Sequence, residues 1–465
     1  MTRIAELHMK YPTIPGDVIV KWEILNRGVR DSADLDKVSG WTPASGTYQS
    51  KFDDVTLKQL VDNRPTRLKD GYMLRPFTFY LKSGEGAGLH ISPRSPYEIR
   101  EVGDGKFDLY EGEERVGADI YFPRPKPREG AEPRTSKGTP ISRLIKSPRS
   151  CFLIMPVRYC EYFATGEQCK FCNFNSGQED ARSIGLDRPV TESLEEIVEA
   201  YKIRGSEVTL IEGRFEMGGF ANAEHEERIH CTFVENIARA TPYKPNFTVH
   251  TEAMSRKGMQ RLKDVRLDCF AIQLEAWDAG LFADICPGKE RHSSYDRWLE
   301  ALSDAVDVYG VGNVGCKTIG GLSLIAPNGH KTWQEARDSH IEAVRWMIEN
   351  DIKPDVGHLH LPAGSVYGEN DANRAKLPPT EYYLDVFLAH HEAMLEHGLY
   401  EKLNKLMHCG LCCSAGNYTG ELGILAQAGD WGTYMADVVP EKANWLLQFI
   451  RSVASPVAAA SPEAI

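Results

Sequence analysis

Short apolar runs alternate with amphipathic segments in the chain after residue 150. Runs bounded by Gly, Pro or Asn predict six strands, at 152–157, 207–212, 246–251, 269–275, 313–324 and 356–361. Helical spacing of apolar residues lies between them, and Ser193 with Glu196 and Thr332 with Glu335 match the capping-box pattern of a helix start. We therefore predict successive βα units and a parallel sheet.

Six βα units are fewer than the eight that close a complete barrel. We expect an α/β fold in which residues 146–375 form a partial (β/α)6 TIM-like barrel, with its chemistry at the carboxyl ends of the strands. Residues 376–465 are expected to form a helical extension that contains further cysteines.

The pattern before residue 123 is different. A strand-like run at 18–22 and a hairpin pattern at 106–122, with Gly-Glu-Glu at its turn, predict a small N-terminal α+β or mainly β module over residues 1–122. The segment 123–145 is polar, basic and rich in proline. It is expected to be a linker or a lid over an active site.

Composition and charge limit the function. The 465 residues are 42% hydrophobic and 26% charged, as in ordinary globular proteins. The net charge of −12 disfavours nucleic-acid binding, and no apolar stretch approaches the roughly 20 residues that span a bilayer. We expect a cytoplasmic protein that acts on a small molecule, with no nucleic acid and no membrane as partner.

Three cysteines follow the first predicted strand. Cys160, Cys169 and Cys172 are separated by eight and two residues, and in a reducing compartment such clustered thiols indicate metal ligands more than disulfides. Three thiolates would leave one iron of a [4Fe–4S] cubane open to a cofactor or substrate. A zinc ion completed by a distant fourth ligand and incidental buried thiols are the alternative interpretations.

This segment resembles the radical S-adenosylmethionine (SAM) superfamily, whose usual motif is CxxxCxΦC, where Φ is an aromatic residue. Phe171 occupies the aromatic position before Cys172, but the first spacing is eight residues instead of three. The resemblance covers about residues 150–370 and is nearest to the biotin-synthase-like branch. It implies that a [4Fe–4S] cluster on Cys160, Cys169 and Cys172 cleaves SAM reductively.

The resemblance also implies which residues bind SAM. These are Phe171 beside the cluster, Glu212 and Gly213 at the end of the second strand for the amino group, Gln273 and Glu275 on the fourth strand for the ribose, Lys289 or Arg291 for the carboxylate, and Ile319 and Gly321 beside the adenine. Between the two basic residues, arginine offers the better bidentate geometry. His358 and His360 share one face of the sixth strand and could line the substrate cavity.

A second group of thiols lies near the carboxyl terminus. Cys409, Cys412 and Cys413 fall within five residues and follow His408. They could bind an auxiliary iron–sulfur cluster, hold a thiophilic substrate, act as a redox dithiol or be buried structural thiols. We expect one of the first three, hence a catalytic role.

The function implied by the resemblance is radical chemistry on a small molecule. It proceeds most commonly through a 5′-deoxyadenosyl radical and needs a one-electron donor such as flavodoxin or ferredoxin. A second hypothesis is transfer of the 3-amino-3-carboxypropyl group of SAM to a thiophilic acceptor, such as trivalent arsenic, on the C-terminal cysteines. A zinc-bearing scaffold or sensor is the non-enzymatic hypothesis.

Overall fold

The computed structural model describes most of the chain up to residue 403. The described residues are 1–14, 16–38, 42–43, 51–52, 72–73, 78–81, 86–103, 105–120, 122, 133–146, 151–183, 189–204, 212–215, 217–240, 246–251, 253–399 and 402–403. No helix in these ranges is long and apolar enough to cross a membrane.

The N-terminal module begins with two helices, α1 (Arg3–Lys10) and α2 (Gly16–Arg27), and a 3-10 helix, Ala33–Val38. The strand predicted at 18–22 is wrong, because these residues belong to α2. Every residue from 18 to 25 is buried, Lys21 and Glu23 included. The run therefore belongs to a helix that is covered on all sides, which periodicity cannot distinguish from a buried strand.

Short strands complete this module. They are β1 (Thr42–Pro43), β2 (Lys51–Phe52), β3 (Tyr72–Met73), β4 (Thr78–Tyr80), β5 (Gly86–Gly88), β6 (His90–Ile91), β7 (Tyr97–Gly103), β8 (Lys106–Glu111) and β9 (Glu114–Ile120). Strands β8 and β9 form the hairpin predicted at 106–122, and β7 adds a third antiparallel strand. The described residues before 123 therefore contain both helices and strands.

The larger sheet has seven strands in chain order. They are β10 (Ile145–Lys146), β11 (Cys151–Ile154), β12 (Glu212–Phe215), β13 (Asn246–Thr251), β14 (Cys269–Glu275), β15 (Val314–Ile319) and β16 (Lys353–Gly357). Strand β10 is antiparallel to β11, and every later pair is parallel. The predicted α/β class with six consecutive parallel strands is confirmed, while its curvature into a partial barrel stays a prediction.

Helices follow the strands as the βα pattern predicts. They are α3 (Ile141–Leu144), α4 (Phe174–Ser183), α5 (Leu194–Arg204), α6 (Ala223–Ala240), α7 (Arg256–Asp264), α8 (Ala279–Ile285), α9 (Pro287–His292), α10 (Tyr295–Tyr309), α11 (Leu322–Ile325), α12 (Trp333–Glu349), α13 (Asp371–Arg374) and α14 (Thr380–Glu396). The sheet begins within the segment expected to be a linker, since Ile141, Leu144 and Ile145 are buried in the main apolar core.

Of the two predicted capping boxes, one is complete and the other is only half formed. Thr332 and Glu335 form a complete capping box at the start of α12. Ser193 Oγ accepts a hydrogen bond from the Glu196 amide at 3.4 Å, but the Glu196 carboxylate accepts one from Thr135 instead of returning to Ser193. That side chain therefore ties the segment before β10 to α5.

Helix α2 joins the N-terminal module to the parallel-sheet unit by packing on α14. The Trp22 ring stacks on Tyr383 with ring centroids 4.9 Å apart, and Asn26 Nδ2 donates to the Pro378 carbonyl at 3.1 Å. Glu23 accepts hydrogen bonds from Tyr97 and Thr380. The two units thus share a buried contact with apolar and polar parts.

We predict that Trp22→Ala destabilises the protein by about 3–5 kcal/mol, because it removes a fully buried aromatic side chain and its stacking on Tyr383. Denaturant unfolding of the cofactor-free protein measures this, with Met9→Ala as a control because Met9 is 63% exposed. Equal unfolding midpoints for the two variants would contradict a packed interface.

Candidate active site at the carboxyl edge of the sheet

The first cysteine triplet lies on the loop between β11 and α4. Cys160 begins it, the 3-10 helix Glu161–Phe163 follows, and Gly166 turns the chain at a φ of +71°. Cys169 and Cys172 then lead into α4. The long first spacing therefore forms one 3-10 turn and one tight turn at the carboxyl end of the first parallel strand.

Backbone contacts fix the loop at Cys160. Asn175 accepts a hydrogen bond from the Cys160 amide at 2.9 Å and donates one to the Cys160 carbonyl at 3.0 Å. The Glu161 amide donates to the Gly219 carbonyl at 2.9 Å. A Cβ on Gly218 would lie 2.1 Å from the Tyr159 carbonyl oxygen, so only glycine permits this approach of the segment after β12.

A buried ion pair fixes the chain just before Cys160. Arg158 pairs with Glu192, and both side chains are 3% exposed. The Arg158 amide also donates to the Val190 carbonyl at 2.7 Å. A buried charge without its partner is costly, so the pair holds the entry to the loop in one position.

A second set of contacts fixes the loop at Cys169. The Lys170 amide donates to the Ile285 carbonyl and the Gly288 amide donates to the Glu167 carbonyl, both at 2.9 Å. A Cβ on Gly288 would lie 2.6 Å from the Tyr162 ring. The loop is therefore held between the segment after β12 and the α8–α9 junction.

The three thiols influence one another electrostatically. Burial raises the pKa of Cys172 well above its ordinary value, and the negative charges of Cys169 and Cys160 raise it further. Burial and a hydrogen bond with Cys169 also raise the pKa of Cys286. Cys286 is thus a fourth thiol beside the triplet, which sequence reasoning missed because it lies 117 positions after Cys169.

Three thiols on one loop are the donors that a [4Fe–4S] cubane uses. Among the described residues, no three His, Cys, Asp or Glu side chains are arranged as ligands of one metal ion. Ligands of a zinc ion must converge on one point, whereas each cysteine of a cubane binds a different iron and needs only to lie around it. Neighbouring buried thiols that oppose one another's ionisation also favour a cationic partner.

A buried ion pair lies at the carboxyl end of β14. Lys289 Nζ donates to the Gln273 carbonyl at 2.8 Å and to Glu275 Oε1 at 3.3 Å, and it lies 4.6 Å from the Trp298 ring centroid. Glu275 has a φ of +69° at a break in the β14–β15 register. The bulge therefore interrupts the alternation that was expected to put Gln273 and Glu275 on one face.

Arg291 lies at the surface beside the cysteine loop. Its side chain is 65% exposed and pairs with Glu167 of the cysteine loop. Lys289, in contrast, is 6% exposed and contacts Glu275. Of the two candidate basic residues, the structure brings only Lys289 to the carboxyl end of β14.

A pocket that is partly open to solvent lies beside this ion pair. Glu275, Ile319 and Gly321, which were expected near SAM, line it together with Thr318, His340 and Tyr382. Strand β15 was predicted to continue to residue 324 but ends at Ile319. The chain turns at Gly320 and Gly321, the latter with a φ of +85°, and α11 begins there.

The other residues that the sequence predicted for the site are Phe171, Glu212, Gly213 and the three C-terminal cysteines. Phe171 is half-buried and packs against the main apolar core. Glu212 and Gly213 begin β12, which continues past its predicted end to Phe215, so the segment that reaches the cysteine loop is the later Gly218–Gly219 pair. Cys409, Cys412 and Cys413 lie outside the described residues.

Three histidines meet where the N-terminal module reaches the carboxyl end of β16. The His90 ring lies 5.1 Å from His360 and 6.3 Å from His358, measured between centroids. His90 Nδ1 lies 3.2 Å from the Leu25 carbonyl, and His358 Nε2 lies 3.4 Å from Asn26 Oδ1. The sequence predicted that His358 and His360 lie on the sixth strand, but β16 ends at Gly357 and both histidines follow it. His90 was missed, because only the packing of the two units brings it there.

The chain is similar to several solved structures at low sequence identity. No protein-family model and no curated protein matches the chain. The solved structure of methylornithine synthase (PylB) is 15% identical and matches with a TM-score of 0.36, over 55% of this chain and 70% of that one.

Two further solved structures are similarly distant. The FeFe-hydrogenase maturase HydG from Carboxydothermus hydrogenoformans is 16% identical, with a TM-score of 0.37 over 67% of this chain and 80% of that one. Coproporphyrinogen III oxidase (HemN) from Escherichia coli, described as a radical SAM enzyme, is 12% identical, with a TM-score of 0.36 over 56% and 55%. These scores do not assign a family.

We predict that Gly218→Ala displaces the loop at Cys160, because the added Cβ would overlap the Tyr159 carbonyl. In cofactor-free protein, the rate at which iodoacetamide alkylates Cys160, which is 8% exposed, should rise. Peptide mass spectrometry measures this rate. In the control Gly280→Ala, the nearest atom to the new Cβ is a side-chain oxygen at 3.3 Å. Equal labelling of Cys160 in both variants would refute the close packing.

Proposed function

We propose that this protein is a radical SAM enzyme that holds a [4Fe–4S] cluster on Cys160, Cys169 and Cys172. The observation that carries the proposal is the thiol triplet on one loop after the first parallel strand, fixed at both ends by backbone contacts. Three protein thiolates would leave one iron for the amino and carboxylate groups of SAM. The partial barrel of the superfamily is part of this proposal.

The chemistry that the bound groups supply is one-electron reduction of the SAM sulfonium by the cluster, followed by homolysis of a carbon–sulfur bond. The chain's own residues bind and orient SAM, shield the site from water and hold the substrate. Tight packing around Gly218 and Gly288 keeps the loop residues in place during these steps. This restraint suits a reaction in which a misplaced radical would attack the protein.

We assign SAM to the cavity beside β14 and β15. Glu275 supplies a carboxylate that suits the ribose hydroxyls, and Ile319 with Gly321 supplies an apolar wall and an open backbone for adenine. Lys289, rather than Arg291, is our choice for the basic residue, because it is buried against Glu275. We assign Arg291 to bracing the cysteine loop through Glu167.

The substrate is a small molecule in this proposal, bound where the N-terminal module meets the sheet. His358 and His360 follow β16 at its carboxyl end, and His90 of the module lies against them. A flavodoxin or ferredoxin would deliver the electron. Hydrogen abstraction by a 5′-deoxyadenosyl radical is the reaction that we put first.

We predict that Cys160→Ala, Cys169→Ala and Cys172→Ala each lose the cluster, because each removes one of its three thiolates. Iron and sulfide analysis after anaerobic reconstitution, with the visible absorption of the protein, measures the loss. Cys286→Ala is the matched control, since this thiol is buried beside Cys169 but is not assigned as a ligand.

The two kinds of variant separate the ligand assignments. If Cys286→Ala loses the cluster while Cys160→Ala keeps it, the ligand set is wrong. If all four variants and the wild type bind zinc and no iron, the enzyme proposal itself fails.

We predict that reduced, reconstituted enzyme converts SAM to 5′-deoxyadenosine. Mass spectrometry of the products checks this, with protein that lacks the cluster as the control. Accumulation of 5′-methylthioadenosine instead would mean that the other carbon–sulfur bond breaks. The product would then indicate transfer of the aminocarboxypropyl group and contradict hydrogen abstraction.

A further inference from the structure

A chain of hydrogen bonds runs behind the proposed SAM cavity. The Gly321 amide donates to Tyr382 Oη at 3.0 Å. Tyr382 Oη lies 2.6 Å from His340 Nδ1, and His340 Nε2 lies 2.9 Å from Thr318 Oγ1. All three side chains belong to residues that are at most 6% exposed and line the cavity.

The chain of contacts fixes the direction of each hydrogen. Tyr382 Oη already accepts from Gly321, and His340 Nδ1 is the partner to which its own hydrogen can go among the described residues. Nδ1 is therefore the acceptor, and the imidazole hydrogen is on Nε2. His340 must be neutral for this arrangement, and burial lowers its pKa to about 4.

The last link determines what Thr318 can do. Because its Oγ1 accepts from His340 Nε2, the Thr318 hydroxyl hydrogen cannot point at that nitrogen. No described residue provides another acceptor for it, and Thr318 lines the cavity. The hydroxyl therefore presents a hydrogen-bond donor to whatever occupies the cavity.

The other walls indicate the shape of the occupant. Trp277, Leu281, Ile319 and Leu322 supply flat or apolar surfaces, and Glu275 supplies a carboxylate at one side. Apolar walls with a few placed polar groups are typical of sites for small ligands with an aromatic ring. A purine ring with acceptor nitrogens suits the apolar walls and the Thr318 hydroxyl, and an attached ribose suits the Glu275 carboxylate.

We propose that Thr318 is a specificity-determining residue that donates a hydrogen bond to a ring nitrogen of the SAM adenine, and that Tyr382 and His340 are positioning residues that orient its hydroxyl. This inference rests on the proposed function. It adds a residue that recognises the base and a cause for its orientation.

The experiment compares binding of SAM and of its 1-deaza, 3-deaza and 7-deaza analogues to reconstituted protein by calorimetry. Thr318→Val should weaken SAM binding about three- to tenfold, as for one neutral hydrogen bond, while Thr318→Ser should stay within about twofold of the wild type. One analogue should bind the wild type more weakly by a similar factor, and Thr318→Val should weaken that analogue no further.

Tyr382→Phe tests the hydrogen-bonded chain of Tyr382, His340 and Thr318. Without the phenol, the imidazole hydrogen can move to Nδ1, so that Nε2 accepts from Thr318 and draws its hydrogen away from the cavity. We expect Tyr382→Phe to give the same analogue dependence as Thr318→Val, and the double variant to add nothing.

Tyr383→Phe is the matched control. Tyr383 Oη donates to the Gly320 carbonyl at 3.3 Å and accepts from the Leu359 amide at 3.2 Å, so this variant loses a buried hydroxyl on the same turn without touching His340. Any weakening it causes should be equal for all four ligands. Circular dichroism and thermal unfolding establish that each variant is folded.

Two results would overturn the inference in distinguishable ways. If wild-type protein binds SAM but Thr318→Val weakens all four ligands equally, or none, Thr318 does not recognise the base and only the inference fails. If reconstituted wild-type protein binds no SAM, the proposed function fails and the inference fails with it.

Discussion

The close packing of backbone against the cysteine loop is the constraint on which the site depends. Two glycines permit it, since a Cβ on Gly218 would overlap the Tyr159 carbonyl and one on Gly288 would overlap the Tyr162 ring. Hydrogen bonds from Glu161 to Gly219 and from Gly288 to Glu167 complete the contact on both sides. The loop, with eight residues between its first two cysteines, is thereby held on both sides.

The same packing links the loop to the rest of the carboxyl edge. The α8–α9 junction that holds the loop also carries Lys289, whose ammonium group pairs with Glu275 at the bulge of β14. Glu275 in turn lines the cavity together with Thr318, His340 and Tyr382, the three residues of the hydrogen-bonded chain. The cysteine loop, the proposed SAM cavity and the glycine turn after β15 are therefore connected through Lys289 and Glu275.

The sequence predicted elements where local pattern determines the structure. Strands β13 and β14 match their predicted bounds, and α12 begins at its predicted capping box. Helix α2 was mistaken for a strand because it is buried on all sides and has no amphipathic period. Cys286, Gly218 and His90 were missed because their importance arises from contacts between segments that are distant along the chain. Sequence reasoning favoured Arg291 for its bidentate geometry, whereas burial and a charged neighbour distinguish Lys289.

In the proposed function, three cysteines hold a [4Fe–4S] cluster whose fourth iron is open to SAM. Mössbauer spectroscopy of protein reconstituted with ⁵⁷Fe, recorded before and after addition of SAM, tests it most directly. We expect one of the four irons to change its isomer shift when SAM binds, while the other three keep theirs. Iron signals that SAM leaves unchanged, at concentrations that saturate the protein, would contradict it.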